Sequence, residues 1–389
     1  MAVSQIVSPR LMRIGGGAVN QVAEVLAAFG LSKPLIVTDP WMASSNTVER
    51  CLAPLRKAGI AAQVFSDTVP DPTDTVIEAG VAILKSGEFD CLIGFGGGSP
   101  MDTAKAMAIL AAAPPGAKMR AFKVPAQADT GALPVICIPT TAGTGSEATR
   151  FTVITDTETD EKMLIAGLGA LPLAALVDFE LTYSVPPRTT ADTGIDSLTH
   201  ALEAYVSKRA NPHADSLALA AMRLIGPNLR RVWKDPRDAA AREAMMLGAM
   251  QAGLAFSNSS VALIHGMSRP IGAHFHVPHG LSNAMLLPAV TEFGLNDALP
   301  RYAEAARAIG AARAEDADQV AGAKLLEELR ALNAELEVPT PRAYGIAAEK
   351  WDGLMPTMAK QALASGSPAN NPRVPDEGEI LALYRRVYG

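Results

Sequence analysis

Short β-branched runs alternate with longer amphipathic stretches along the first half of the 389-residue chain. PLIVTD (34–39), AAQVFS (61–66), DCLIGFG (90–96) and LPVICIP (133–139) look like buried strands. Between them AVNQVAEVLAAFG (18–30), TVERCLAPLRKAG (47–59), TDTVIEAGVAILKSG (73–87) and MDTAKAMAILAAA (101–113) read as helices. Strand and helix in repetition predict a mostly parallel sheet with helices on both faces, an α/β domain. FTVITD (151–156), KMLIAG (162–167) and AALVDF (174–179) are expected to be further strands completing it. After SVPPRTT (184–190) β-branched runs almost vanish and Ala/Leu/Met-rich helical segments follow. The pattern therefore predicts an α/β domain over 1–186 and an all-helical domain over 187–389.

Composition narrows the function class. The net charge is −6 and no basic tract is present, which argues against a nucleic-acid surface. Three cysteines without CxxC spacing make disulfide stapling improbable and a reducing cytoplasm the expected location. No charged leader precedes an apolar core at the N-terminus, and no apolar run approaches the roughly 20 residues of a membrane helix. A soluble protein with small-molecule partners is expected.

GFGGGSPMDTAK (94–105) follows a predicted strand and opens a helix. Gly96, Gly97 and Gly98 let the backbone turn sharply, and the N–H groups of Ser99 and the helix start can face a diphosphate. Ser99 stands where a third glycine of GxGxxG would be, so the same residues also suit a tight turn with no ligand. Asp39 ends its strand, where a carboxylate can bind ribose hydroxyls and repel a 2′-phosphate, favouring NAD over NADP; it is equally a helix N-cap. In PTTAGTGSEAT (139–149), Thr140, Thr141, Thr144 and Ser146 set hydroxyls among small residues, suited to a planar ring and its amide or to a plain loop.

Four of the six histidines fall within VALIHGMSRPIGAHFHVPHG (261–280). Upstream, TGIDSLTHALEAY (193–205) spaces Asp196 and His200 four apart, on one face of a helix. The Asp196 carboxylate with the imidazoles of His200, His265 and His279 would hold a divalent first-row metal, Fe²⁺ or Zn²⁺. His213 and one of His274 and His276 need no such role.

These motifs in this order, with NPR near the end, resemble the iron-containing (group III) alcohol dehydrogenases over nearly the whole chain. The resemblance implies an N-terminal Rossmann-like dinucleotide-binding domain and an all-α C-terminal domain, the dehydroquinate synthase-like fold. It makes Asp196, His200, His265 and His279 the metal ligands and assigns Asp39, Gly97, Gly98, Ser99, Thr140, Thr141 and Thr144 to NAD. Asp102 and Lys162 match family positions beside the cofactor. It further implies a metal-dependent, NAD-linked alcohol dehydrogenase or aldehyde reductase acting on a short alcohol, diol or hydroxy acid, assembled as a homodimer or higher homo-oligomer. A metal-independent reductase of the maleylacetate reductase type and a dehydroquinate synthase-like lyase share the fold. Many members read HGMxHP, whereas this chain has Arg269 at the second histidine. A guanidinium there suits a carboxylate-bearing substrate, or equally a salt-bridged surface position.

Overall fold

In the computed structural model, which describes residues 3–129 and 131–389, the chain separates into two compact units, Ile6–Val185 and one containing Pro186–Gly389. The first is built on a six-stranded parallel sheet. Its strands are β1 (Leu11–Ile14), β2 (Pro34–Val37), β3 (Gln63–Phe65), β4 (Cys91–Gly96), β5 (Val135–Pro139) and β8 (Ala174–Val177), in the order β1-β8-β5-β4-β2-β3. The residues of β2, β4, β5 and β8 are buried throughout, as a sheet covered on both faces requires.

Alternate side chains of these strands feed two cores. On one face Leu35, Val37, Leu92 and Cys137 pack with Ile77 and Val81 of α4 (Asp74–Ser86) and with Met101 and Met107 of α5 (Gly98–Ala112). On the other, Ile36, Ile93, Phe95 and Ile136 pack with Leu26 of α1 (Val22–Ala28) and with Cys51 and Leu55 of α3 (Glu49–Lys57). A short helix, α2 (Pro40–Ser44), follows β2 directly.

FTVITD and KMLIAG do not join this sheet. They form a separate antiparallel hairpin, β6 (Phe151–Asp156) and β7 (Glu161–Ala166), while AALVDF supplies β8 of the main sheet. Their alternating burial, unlike the continuous burial of β4, marks a half-covered ribbon. β1 at the sheet edge is short and half-exposed, and its pattern is too weak to read from sequence.

The second unit is helical. Its helices are α6 (Pro187–Val206), α7 (Pro212–Lys234), α8 (Ala239–Ser257), α9 (Leu263–Phe275), α10 (His279–Gly294), α11 (Leu299–Ala308), α12 (Asp318–Glu335), α13 (Ala348–Ala364) and α14 (Glu377–Tyr388). Prolines open α6 and α7, where a missing N–H costs nothing, and the Asn211 and Asp238 side chains cap α7 and α8. Helices α6, α7 and α8 pack together, and α10 lies against both α6 and α9. Gly280 makes the approach of α10 to α6 possible, because a Cβ there would sit 2.3 Å from the Asp192 carbonyl oxygen. Among the described residues no helix is long and apolar enough to cross a membrane.

Candidate functional site

In the α/β unit the sheet order reverses between β2 and β4. From β2 the chain moves outward to β3, then returns to β4 and builds the other way through β5 and β8. Ligands of open parallel sheets bind beyond the carboxyl ends of the strands at such a switch point. Asp39 follows β2, Gly97 to Ser99 follow β4, and Thr140, Thr141 and Thr144 follow β5, all at that edge.

The loop after β4 depends on its glycines. Gly96 has a φ of +148°, and a Cβ on Gly98 would meet Thr144 Cγ2 at 2.9 Å. The glycine loop and the threonine loop therefore lie against one another. Helix α5 begins at Gly98 with no side-chain cap, so its first N–H groups are left for an anion or water. The hydroxyls of Thr140, and of Thr38 beside Asp39, are buried without a hydrogen-bond partner among the described residues. Asp39 accepts the Met42 N–H at Oδ1 (2.9 Å) and caps α2, and the residue is half-buried. Capping engages one oxygen, so it does not exclude a ribose contact at the other.

Asp102 and Lys162 have protein partners. Asp102 accepts the Ser146 hydroxyl (2.7 Å) and the Val153 N–H (2.9 Å), and burial raises its carboxyl above the usual range. Lys162, on β7, pairs with Asp71 at 2.8 Å. A residue with no assigned role in the sequence reading, Lys105, is wholly buried on α5. Its ammonium donates among Ser146 O (2.5 Å), Ser146 Oγ (2.9 Å), Phe151 O (3.0 Å) and Thr149 O (3.1 Å). Burial lowers the Lys105 ammonium from its ordinary value and pushes the neighbouring Glu147 carboxyl up to about 7.

In the helical unit, one atom from each of Asp196, His200, His265 and His279 lies within 4.8 Å of the other three. Asp196 and His200 project from one face of α6, His265 from the first turn of α9, and His279 opens α10. The Asp196 Oδ1 is 3.6 Å from His265 Nε2, 3.8 Å from His279 Nε2 and 3.9 Å from His200 Nε2. Bonds of about 2.1 Å to a four-coordinate ion set donors roughly 3.4 Å apart, so this cage fits a divalent first-row cation with slight contraction. Its donors, three imidazoles and one carboxylate, suit Fe²⁺ or Zn²⁺.

The cage is stiff on one side and open on another. His200 is stacked between Phe256 and His265, with ring centroids 4.3 and 4.5 Å away. Asp196 is 1 % exposed, and although burial works to raise it, the three imidazoles hold it far below the carboxylate range. The His279 side chain, 38 % exposed, marks the open side.

Two residues of this centre escaped the sequence reading. The Asn283 amide nitrogen lies 2.7 Å from Asp196 Oδ1 and 3.2 Å from both His265 Nε2 and His279 Nε2, while its own buried oxygen has no partner among the described residues. A hydrogen-bond donor aimed at three lone pairs is where a cation would be favoured. Glu203 lies 2.6 Å from His265 Nδ1. Both stand at helical spacing from residues that were read, Asn283 four after His279 and Glu203 three after His200. That spacing was the available signal.

Arg269 follows His265 by one turn of α9, half-buried. Its Nη1 donates to Ser367 Oγ (3.1 Å), it makes no ion pair among the described residues, and burial lowers its pKa. His274 bonds Gln361 instead of joining the cage, and His276 ends α9 in the left-handed region at a φ of 54°.

The chain is similar to known proteins over nearly its whole length. Residues 9–179 match the model of iron-containing alcohol dehydrogenases, and residues 190–388 match the C-terminal domain of the same family. The chain is 37 % identical over 390 residues to long-chain-alcohol dehydrogenase 1 of Geobacillus thermodenitrificans (strain NG80-2), covering 100 % of this chain and 98 % of that one. Among solved structures, a 1,3-propanediol oxidoreductase superposes with a TM-score of 0.94 at 33 % identity, over 99 % of this chain and 100 % of the other. A sulfoacetaldehyde reductase from Bifidobacterium kashiwanohense, solved with NAD⁺, superposes with a TM-score of 0.88 at 27 % identity, over 100 % of both chains.

Proposed function

The chain belongs to the iron-containing alcohol dehydrogenase family, and from that membership we propose a metal-dependent, NAD-linked enzyme that interconverts a short hydroxy compound and its aldehyde. The observation that carries the metal part is the four-residue cage of Asp196, His200, His265 and His279. When bound, the ion supplies Lewis acidity toward the substrate oxygen, and the dinucleotide supplies the ring that takes or gives hydride.

The protein's own groups set the rest. Asp196 contributes the anionic donor, and stacking on Phe256 and His265 keeps His200 from rotating away. Asn283 holds the Asp196 oxygen in place from the buried side. In the α/β unit the uncapped start of α5, with Gly97, Gly98 and Ser99, binds the diphosphate through backbone N–H groups. Thr140, Thr141 and Thr144 meet the nicotinamide end, and Asp39 meets the ribose, where its charge repels a 2′-phosphate. Asp102 and Lys162 act on the cofactor through the loops they fasten, given the partners they already have.

Arg269 bears on substrate choice. The half-buried Arg269 guanidinium feels the Glu203 carboxylate but makes no ion pair among the described residues, which leaves it donors for a substrate anion, so hydroxy acids or acid-bearing aldehydes are the proposed substrate class. The likeness to a sulfoacetaldehyde reductase, named for an anionic aldehyde, supports that reading. A cytoplasmic location accords with three free, buried cysteines. A homodimer accords with β1, an edge strand whose outer side is unpaired within the sheet.

The deciding experiment strips the enzyme of metal, reloads it anaerobically with Fe²⁺ or Zn²⁺, and follows NADH formation with alcohols, diols and hydroxy acids. Activity that returns only with metal supports the proposal. Hydride transfer indifferent to metal would assign a maleylacetate reductase type of chemistry, and no net NADH under any condition a lyase.

A further inference from the structure

Helix α9 begins without a side-chain cap of its own, since its N-cap residue is Ala262. The cap comes from α6. Glu203, 2 % exposed, accepts the Ala262 N–H at Oε2 (2.9 Å) and the Ile264 N–H at Oε1 (2.6 Å), satisfying donors that a helix start leaves orphaned. The same Oε2 lies 2.6 Å from His265 Nδ1. A carboxylate offers lone pairs only, so the proton of that bond belongs to Nδ1. The lone pair of Nε2 is then turned toward Asp196 Oδ1, 3.6 Å away.

We infer that Glu203 is a positioning residue of the metal centre, using one carboxylate to anchor the start of α9 and to fix the ring orientation and donor nitrogen of His265. The inference rests on the cluster being a metal site, and it adds a second buried negative charge to that of Asp196. The geometry also explains why an uncharged isostere would fail. A glutamine has one accepting oxygen, whereas Glu203 accepts from three N–H groups through two oxygens. Facing its amide toward His265 would offer Nδ1 a donor and favour the proton on Nε2; facing it toward Ile264 would set two donors against each other. Carboxylates that orient metal-bound histidines commonly change affinity 10- to 100-fold when replaced.

The test uses the full-length protein stripped of metal and titrated with Zn²⁺ against a chromophoric chelator, for wild type, Glu203→Gln and Glu203→Asp. Co²⁺ absorption spectra and thermal unfolding accompany the titrations. Glu203→Gln is expected to bind Zn²⁺ about 10- to 100-fold more weakly with a shifted Co²⁺ spectrum, with Glu203→Asp between it and wild type and NADH binding unchanged in all three. A residue that only stabilised the helix would lower the melting temperature and leave the Co²⁺ spectrum of the folded protein as it was, which would overturn the inference. So would wild-type Zn²⁺ affinity in Glu203→Gln. If that variant does not fold, ¹⁵N-histidine spectra of Zn²⁺-loaded wild type decide: a protonated Nδ1 on His265 sustains the inference, and Zn²⁺ on Nδ1 overturns it. A wild type that binds no Zn²⁺ sinks the metal-site reading itself, and this inference with it.

Discussion

Gly280 rests so close to Asp192 that helices α10 and α6 meet backbone to backbone, with no room for a methyl group between them. His279 is the residue immediately before that contact, and Asp196 lies one turn along α6 from Asp192. The distance between these two proposed metal donors is thus set by a glycine outside the cage. Gly280→Ala is expected to force the helices apart, destabilise the helical unit by about 1–3 kcal/mol as overpacking does, and weaken Zn²⁺ binding. Chelator competition and thermal melts would show both effects; a variant that melts lower but binds Zn²⁺ unchanged would uncouple the packing from the site.

Asp39 carries two possible duties that one substitution separates. Asparagine caps helices as well as aspartate, so Asp39→Asn should keep the bond to Met42 N–H and leave the melting temperature within a degree or two (roughly, for an exchange of equivalent caps). The lost charge should improve kcat/KM with NADP⁺ on the order of tenfold, the size of one removed like-charge contact. Cofactor preference unmoved by the change would leave Asp39 as a cap alone.

Arg269→Met keeps the apolar stem and removes the charge. If the guanidinium receives an anionic group, kcat/KM for hydroxy acids and acid-bearing aldehydes should fall about 10- to 100-fold, the value of a charge-assisted hydrogen bond, while neutral alcohols change little. Equal losses on both substrate sets would assign Arg269 to packing against the Ser367 segment.

Glu147 gives stability an unusual pH dependence. Burial pushes its carboxyl up to about 7 from an ordinary 4.5, with the Lys105 ammonium opposing the shift. Between those values the folded protein keeps a proton that the unfolded chain releases. Stability from this group is therefore full below about pH 4.5, declines as pH rises through the interval, and is flat above about 7, a loss on the order of 3 kcal/mol. Glu147→Gln should consequently be more stable than wild type at pH 8 and nearly equal to it at pH 5. Urea unfolding at the two pH values checks this, and an identical difference at both would argue against it.

What the sequence disclosed depended on how each feature is encoded. Asp196 and His200 show a helical interval, and the strands β2, β4 and β5 show unbroken apolar runs, so both were legible locally. The β6–β7 hairpin was read as strand, but its place outside the main sheet depends on pairing between distant segments. Glu203, Asn283 and Lys105 look like ordinary positions in amphipathic helices. Their meaning arises only when α9 is brought beside α6, when α10 meets both, and when the loop after β5 folds over α5. A charged side chain at full burial is costly and persists only with partners, and those partners are 41 to 62 residues away.

Lys105 has a consequence for how tightly a nucleotide is held. Through Ser146, Thr149 and Phe151 it ties the threonine loop to α5, and Asp102 adds two further ties. The segments that line the strand ends thus reach their shape during folding, before any ligand arrives. Association then has little loop entropy left to remove, so affinity reflects the contacts themselves, and loosening a residue that never meets the ligand should appear mainly as faster dissociation.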